Sequence, residues 1–253
     1  MASENSATAA RGVIYITTGP SYLAEAVKSA RSVQRFHPGL PILLFTDQVG
    51  FTSPVFHEVR HVSDSAHPFQ VKVKYLRESP FERTLFLDTD TLVKKPIAEM
   101  FDWLDDFDFA IANEPLNDWE HRPNELKAYK NERHLNTGVM LFRKGDAWER
   151  FWEQWYAGIA AVVQEDIRHG VESDQCHCNR LLFGEQVEEL GLKWMVFDNL
   201  IYNARGIMFR RMKQEGLWRE AKILHCHSVH ADWKGLFRLK WLGLKKRLGI
   251  HVS

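Results

Sequence analysis

Near its start the chain carries two short apolar runs, Val13-Ile14-Tyr15-Ile16-Thr17 and Ile42-Leu43-Leu44-Phe45-Thr46, on either side of one amphipathic stretch. Runs that are apolar without alternation read as strands buried on both faces. Between them Gly19-Pro20 marks a turn and Ser21 reads as a helix cap. Leu23, Ala26, Val27, Ala30 and Val33 then recur at helical spacing until His37-Pro38-Gly39. Strand, helix and strand in this order form a βαβ unit, which implies a parallel sheet with helices on its faces. Further strands are expected near 56–62, at Thr84-Leu85-Phe86-Leu87, over 107–112 and at Val139-Met140-Leu141-Phe142, and helices over 70–78, 148–163 and 174–183. No repeat, low-complexity tract or linker divides the 253 residues, so one α/β domain is expected.

The balance of 33 basic and 33 acidic residues gives no overall charge that would draw nucleic acid or an acidic partner. The three cysteines, Cys176, Cys178 and Cys226, are too few for a disulfide framework and suggest a reducing compartment. No stretch reaches the roughly 18–20 apolar residues that span a bilayer. Residues 1–11 read as a loose polar tail, residues 12–235 as the domain and residues 236–253 as a separate C-terminal segment; a cytoplasmic location is expected. After Trp233 there is no acid, while Lys234, Arg238, Lys240, Lys245, Lys246 and Arg247 interleave with Leu236, Phe237, Trp241 and Leu242. This segment suits a basic amphipathic helix on an anionic membrane surface, or a terminal helix packed on the domain with a solvated basic face.

One step carries chemistry. Asp88 and Asp90 stand at i and i+2 where the apolar run ending in Leu87 leaves the core. Paired carboxylates on so rigid a support suit a hard divalent cation such as Mn2+ or Mg2+, although Asp-x-Asp is also common at solvated strand ends. The stretch 113–135, with Trp119, His121, Tyr129 and His134, is too long for a plain connection and is expected to be functional.

Five blocks in order resemble the A-type-fold glycosyltransferases, closest to the retaining family of glycogenin and the bacterial lipooligosaccharide galactosyltransferases. They are the opening strand at 12–18, Leu85-Phe86-Leu87-Asp88-Thr89-Asp90-Thr91, Leu135-Asn136-Thr137-Gly138-Val139-Met140-Leu141, Ser173-Asp174-Gln175 with Asn179, and Ile223-Leu224-His225 with Trp233. The resemblance covers about residues 12 to 235. It implies a single Rossmann-like nucleotide-diphospho-sugar transferase domain with a mostly parallel sheet. The implied activity is transfer of a hexose from a UDP-sugar to a hydroxyl of a carbohydrate, glycolipid or protein, with retention and with Mn2+ or Mg2+.

Under the resemblance Asp88, Asp90 and His225 would bind the metal, although His225 alone could be a core histidine at a strand end. Asp174 and Gln175 would face the anomeric carbon, with Asp174 also suited to cap a helix. Donor contacts would come from Thr17, Thr18, Tyr22, Lys72, Asp88, Thr89, Asn136, Thr137 and Lys234. Lys74 competes with Lys72, and Tyr22 could equally be packing. The chain departs from the family's closing block, usually His-[Tyr/Phe]-x-Gly-x-x-Lys-Pro-Trp, by reading His225-Cys226-His227-Ser228-Val229-His230-Ala231-Asp232-Trp233-Lys234-Gly235. The phosphate contacts of that loop are therefore open.

Three other readings compete. The chain could bind a nucleotide sugar without transferring it. It could be a sugar-phosphate nucleotidyltransferase, although no Gly-rich basic loop follows the first strand. Cys176-His177-Cys178 with His225-Cys226-His227 could hold zinc, but Cys-x-Cys on a helix places the sulfurs about 200 degrees apart.

Overall fold

A computed structural model of the chain describes residues 10–63, 66–114, 134–162 and 172–226. The N-terminal tail up to residue 9, most of the stretch 113–135, Trp233, Lys234 and the basic C-terminal segment lie outside the described residues.

The opening unit forms as its pattern dictates. Strand β1 (Arg11–Thr17) is followed by helix α1 (Pro20–Phe36) and strand β2 (Ile42–Thr46), with Val13 aligned on Ile42 in parallel. Leu23, Ala26, Ala30 and Val33 are buried and Val27 is partly so, which completes the apolar stripe. Ser21 is not the cap. The helix begins at Pro20, whose fixed φ suits the first turn. Gly19, at φ 89, takes the cap position and donates its N–H to the Asp47 carboxylate at 2.9 Å.

The chain then lays down β3 (Glu58–His61), α2 (Pro68–Leu76), β4 (Arg83–Leu87) and β5 (Thr91–Val93). A 3-10 helix at Ala98–Asp105 leads to β6 (Phe109–Asn113) and β7 (Leu135–Arg143). Next come α3 (Asp146–Ala160), α4 (Asp174–Phe183), α5 (Gln186–Leu190), β8 (Trp194–Phe197) and α6 (Asn199–Tyr202). The described residues end with β9 (Ala204–Arg205), α7 (Phe209–Gln214) and β10 (Ile223–His225).

Seven strands form one sheet in the order β3-β2-β1-β4-β7-β6-β8, and β7 alone runs against its neighbours. Its two faces carry separate cores. One holds α1 and the 3-10 helix over Val13, Leu44 and Leu87. The other packs α2, α3 and α4 over Ile14, Phe86 and Met140, with Trp148, Phe151 and Trp155 of α3 fully buried. The apolar residues of α3 recur at i, i+3, i+4 and i+7, which aims them all at the sheet.

Two departures from regularity position the site. Along β7 the pairing with β6 jumps from Met140 opposite Ile111 to Asn136 opposite Ala112, so Thr137, Gly138 and Val139 have no partner there. Bulges of this kind re-aim side chains near sites. Here the freed segment turns toward the end of β4, where the Gly138 carbonyl accepts the Asp88 N–H at 2.8 Å. The second departure is a small sheet, β5-β10-β9, in which β10 runs antiparallel to β5 and places His225 opposite Thr91. The Cys226 N–H also donates to the Asp90 carbonyl at 2.8 Å, so a segment more than a hundred residues downstream in sequence lies against the Asp-x-Asp turn.

Candidate functional site

The carboxyl ends of β1 and β4, the bulged start of β7, the first turn of α4 and the edge of the small sheet surround one cleft of about 710 Å³. This is where open α/β sheets bind ligands, beyond the strands' carboxyl ends. It is lined by Thr17, Thr18, Tyr22, Lys72, Asp88, Thr89, Asp90, Asn136, Thr137, Asp174, Gln175 and His225, so every expected site residue within the described portion reaches it. Lys234 lies outside that portion. Lys74, the competitor of Lys72, is not among the lining residues and sits beside the Tyr75 ring.

Asp88, Asp90 and His225 each offer a ligand atom, and these atoms lie within 4.8 Å of one another. His225 Nε2 is 3.1 Å from Asp90 Oδ1 and 3.7 Å from Asp88 Oδ2. Two carboxylates and one imidazole suit Mn2+ or Mg2+, and the imidazole's other nitrogen is already engaged by Asn203 Oδ1 at 2.7 Å, as metal-ligating histidines require. Among the described residues this is the one such group of three. Cys178 is instead buried in the core, His177 pairs with Glu172 at 3.2 Å, and Cys176 hydrogen-bonds Ser173. The zinc reading therefore finds no cluster within the described residues; His227 lies outside them.

The glycine of the Asn136-Thr137-Gly138 block has a steric cause. A Cβ on Gly138 would stand 2.0 Å from His225 Cε1 and 2.7 Å from its Nδ1, so the imidazole occupies the space a side chain would need.

Lys72 sits at the opposite side of Asp88. Its ammonium is 3.2 Å from Asp88 Oδ1 and 2.9 Å from Asp174 Oδ2, and it donates to Thr137 Oγ1 at 3.3 Å. Burial opposes its charge, but the Asp174 and Asp88 carboxylates outweigh that and raise its pKa above the ordinary 10.5. Asp174 Oδ2 also accepts from the Thr137 hydroxyl at 2.7 Å. Asp174 does not cap α4. Ser173 does, accepting from the Cys176 N–H at 3.2 Å, and this releases the Asp174 carboxylate to the cleft side of the helix.

The remaining expected residues differ in what they offer. Thr17 is buried and its hydroxyl donates back to the Phe45 carbonyl at 3.3 Å. Tyr22 is 47% exposed and lines the cleft. The Thr89 hydroxyl donates to Glu25 at 3.0 Å and so ties the Asp-x-Asp turn to α1.

Three further residues belong to the site and carried no motif. Glu114, buried directly after β6, accepts from Asn136 Nδ2 at 2.6 Å. Asn203, fully buried, stands between Asn136 and His225. Arg205 reaches His225 with Nη1, 3.2 Å from Nδ1 and 3.1 Å from Nε2, and pairs with Glu114 at 3.5 Å. A carboxylate directly after an apolar strand was a usable signal for Glu114; nothing in the local sequence marks the other two.

A family model described as nucleotide-diphospho-sugar transferase matches residues 83–238. No curated protein matches the chain by sequence. Among solved structures, the glycosyltransferase GlyE of Streptococcus pneumoniae matches with a TM-score of 0.57 and 14% identity, over 85% of this chain and 54% of that one. Mouse xyloside xylosyltransferase 1 matches with a TM-score of 0.53 and 15% identity, over 88% of this chain and 99% of that one. An active-site mutant of LgtC matches with a TM-score of 0.50 and 13% identity, over 92% and 95%. At these identities the likeness is one of fold.

Proposed function

The chain belongs to the nucleotide-diphospho-sugar transferase family, and we propose from that premise that it transfers a hexose from a UDP-sugar to a hydroxyl acceptor, with Mn2+ or Mg2+ and with retention. The observation that carries this reading is the convergence of Asp88, Asp90 and His225 from two separate sheets on one cleft, with Asp174 and Gln175 lining the same space.

A divalent cation bound by those three residues supplies the charge that a departing diphosphate needs. The chain's own groups do the rest. Asp88 and Asp90 are fixed by backbone contacts at Gly138 and Cys226, so the ligand geometry is set before donor arrives. Lys72 keeps its ammonium charged beside Asp88 and Asp174 and would anchor the donor's phosphate or sugar oxygens. Asp174 and Gln175 would face the anomeric centre from the first turn of α4. Tyr22, exposed in the first turn of α1, would stack on the base, with the backbone of Thr17 and Thr18 beside it. The acceptor class, whether carbohydrate, glycolipid or protein, would be set by the stretch 113–135 and by the basic C-terminal segment, which could also meet a membrane surface, while Lys234 would contact the donor phosphates; most of that stretch, the C-terminal segment and Lys234 lie outside the described residues.

Thermal-shift measurements across nucleotide sugars, with and without Mn2+, test the donor assignment. A UDP-hexose that raises Tm only with Mn2+ is the expected result, and no stabilisation by any UDP-sugar contradicts it. Proton NMR of the anomeric signal in fresh product then reports retention directly.

A further inference from the structure

Beneath the cleft, one buried chain of amides has a direction that can be read from its end. The Gly138 N–H, a backbone group that can only donate, lies 3.0 Å from Asn136 Oδ1. That contact identifies the oxygen of the Asn136 carboxamide, so Nδ2 is the atom facing the Glu114 carboxylate at 2.6 Å and Gln175 Oε1 at 3.0 Å. The Glu114 carboxylate, when ionised a pure acceptor, independently demands the same orientation. The atom of Asn203 placed 2.9 Å from Asn136 Oδ1 must then be a donor, its Nδ2. Its other terminal atom is therefore Oδ1, and this stands 2.7 Å from His225 Nδ1. A carbonyl oxygen accepts, so Nδ1 must carry a proton.

We infer that Asn203 is a positioning residue that, oriented through Asn136 by the Gly138 amide, holds His225 in the Nδ1-protonated form and so presets Nε2 as the cation's ligand. The inference rests on the cation site proposed above. It also reassigns Asn136. Its oxygen accepts twice, from Gly138 and Asn203, and its NH2 donates twice, to Glu114 and Gln175, which uses its full hydrogen-bonding capacity. Asn136 thus acts as the common anchor of the metal ligand and of Gln175, with no group left for a donor sugar. Arg205 fits the same assignment. Its Nη1 stands almost equidistant from the two ring nitrogens, 3.2 Å from Nδ1 and 3.1 Å from Nε2, and so lies along the lone pair of neither and leaves Nε2 open to the cation.

The reason for such a device is that a neutral histidine side chain in solution favours its proton on Nε2. An unguided His225 would spend part of its time with Nε2 blocked. Because Asn136, Asn203 and His225 are all nearly or fully buried, water does not substitute for a lost partner.

The test uses the full chain labelled with 15N in histidine. Long-range 15N–1H spectra of metal-free wild type, recorded at alkaline pH, are expected to show the His225 proton on Nδ1. A proton on Nε2 in wild type overturns the inference without any variant. Asn203→Leu, an apolar side chain of similar size, is expected to shift the proton toward Nε2 and to weaken Mn2+ binding, followed by electron paramagnetic resonance, by about 10- to 100-fold. Wild-type Mn2+ affinity in Asn203→Leu overturns the positioning role. Absence of Mn2+ binding by wild type overturns the cation site itself, an outcome the tautomer measurement separates because it needs no metal.

Discussion

The two sheets that meet at the cleft deliver their ligands by opposite means. The large sheet carries Asp88 and Asp90 on the end of β4, which lies between β1 and β7 with Leu85 and Leu87 fully buried. Apolar packing on both faces fixes that strand, and the carboxylates inherit its rigidity. The small sheet has strands of two or three residues and a modest core of Ala204, Met208, Met212, Ala221 and Leu224. Packing on that scale does not orient an imidazole. Polar contacts do: Asn203 on one nitrogen, Arg205 nearby and the bare Cα of Gly138 against the ring. One half of the site is positioned by hydrophobic burial and the other by directed hydrogen bonds.

The largest expected effect strikes the first half. Lys72→Met removes the ammonium between Asp88 and Asp174 and leaves the buried Asp174 charge with only the Thr137 hydroxyl, a change that costs about 3–5 kcal/mol. Urea denaturation would register it. Burial opposes the Lys72 charge, yet Asp174 and Asp88 raise its pKa, so its stabilisation is fully present below the unfolded value of 10.5 and is lost only as pH rises through the higher folded value. The penalty of Lys72→Met is therefore expected to be constant from pH 7 to 10, and a penalty that vanishes near neutrality would break the assignment.

Gly138→Ala probes the junction. The added methyl meets the His225 ring, and stability is expected to fall by about 1–3 kcal/mol from overpacking. Mn2+ affinity should fall roughly tenfold or more, as for loss of a hydrogen-bond partner that orients a metal ligand. An alanine variant with unchanged Mn2+ affinity would show that the ring can move without cost. Amide exchange sharpens the contrast further. The amides of β1 and β4 should exchange only through global unfolding, and those of β9 and β10 through local opening of the small core. Equal protection in both sheets would erase the distinction.

The smallest effect lies away from the cleft. His37 Nε2 accepts the Ile97 N–H at 2.9 Å, and burial, aided by Arg11 and opposed by Glu99, lowers its pKa below 6.5. The unfolded chain then binds a proton first as pH falls, so stability should decline below pH 6.5 and level off beneath the folded value. His37→Gln should flatten that part of a Tm-against-pH curve.

What the sequence made legible follows the same division. Strands β1, β2, β4 and β7 and the helix at Asp174–Phe183 are readable because long apolar or periodic segments override local detail. Asp88 and Asp90 were legible for the same reason, since they end such a segment. The small sheet was not, because two- and three-residue strands leave no period to read. Asn203 and Arg205 complete no motif; their roles exist only once β9 is laid beside β10. Ser21 misled because serine caps helices well, but here a proline one residue earlier starts the first turn and Asp47 supplies the acceptor.

The central claim is that a divalent cation at Asp88, Asp90 and His225 supports transfer of a sugar from its nucleotide diphosphate. Donor turnover by wild type and Asp90→Ala, measured as UDP release across a panel of UDP-hexoses with and without Mn2+, tests it most directly. The account predicts Mn2+-dependent release by wild type and a loss of roughly 100-fold or more in Asp90→Ala. Turnover by Asp90→Ala at near wild-type rate, with the same response to Mn2+, would contradict it.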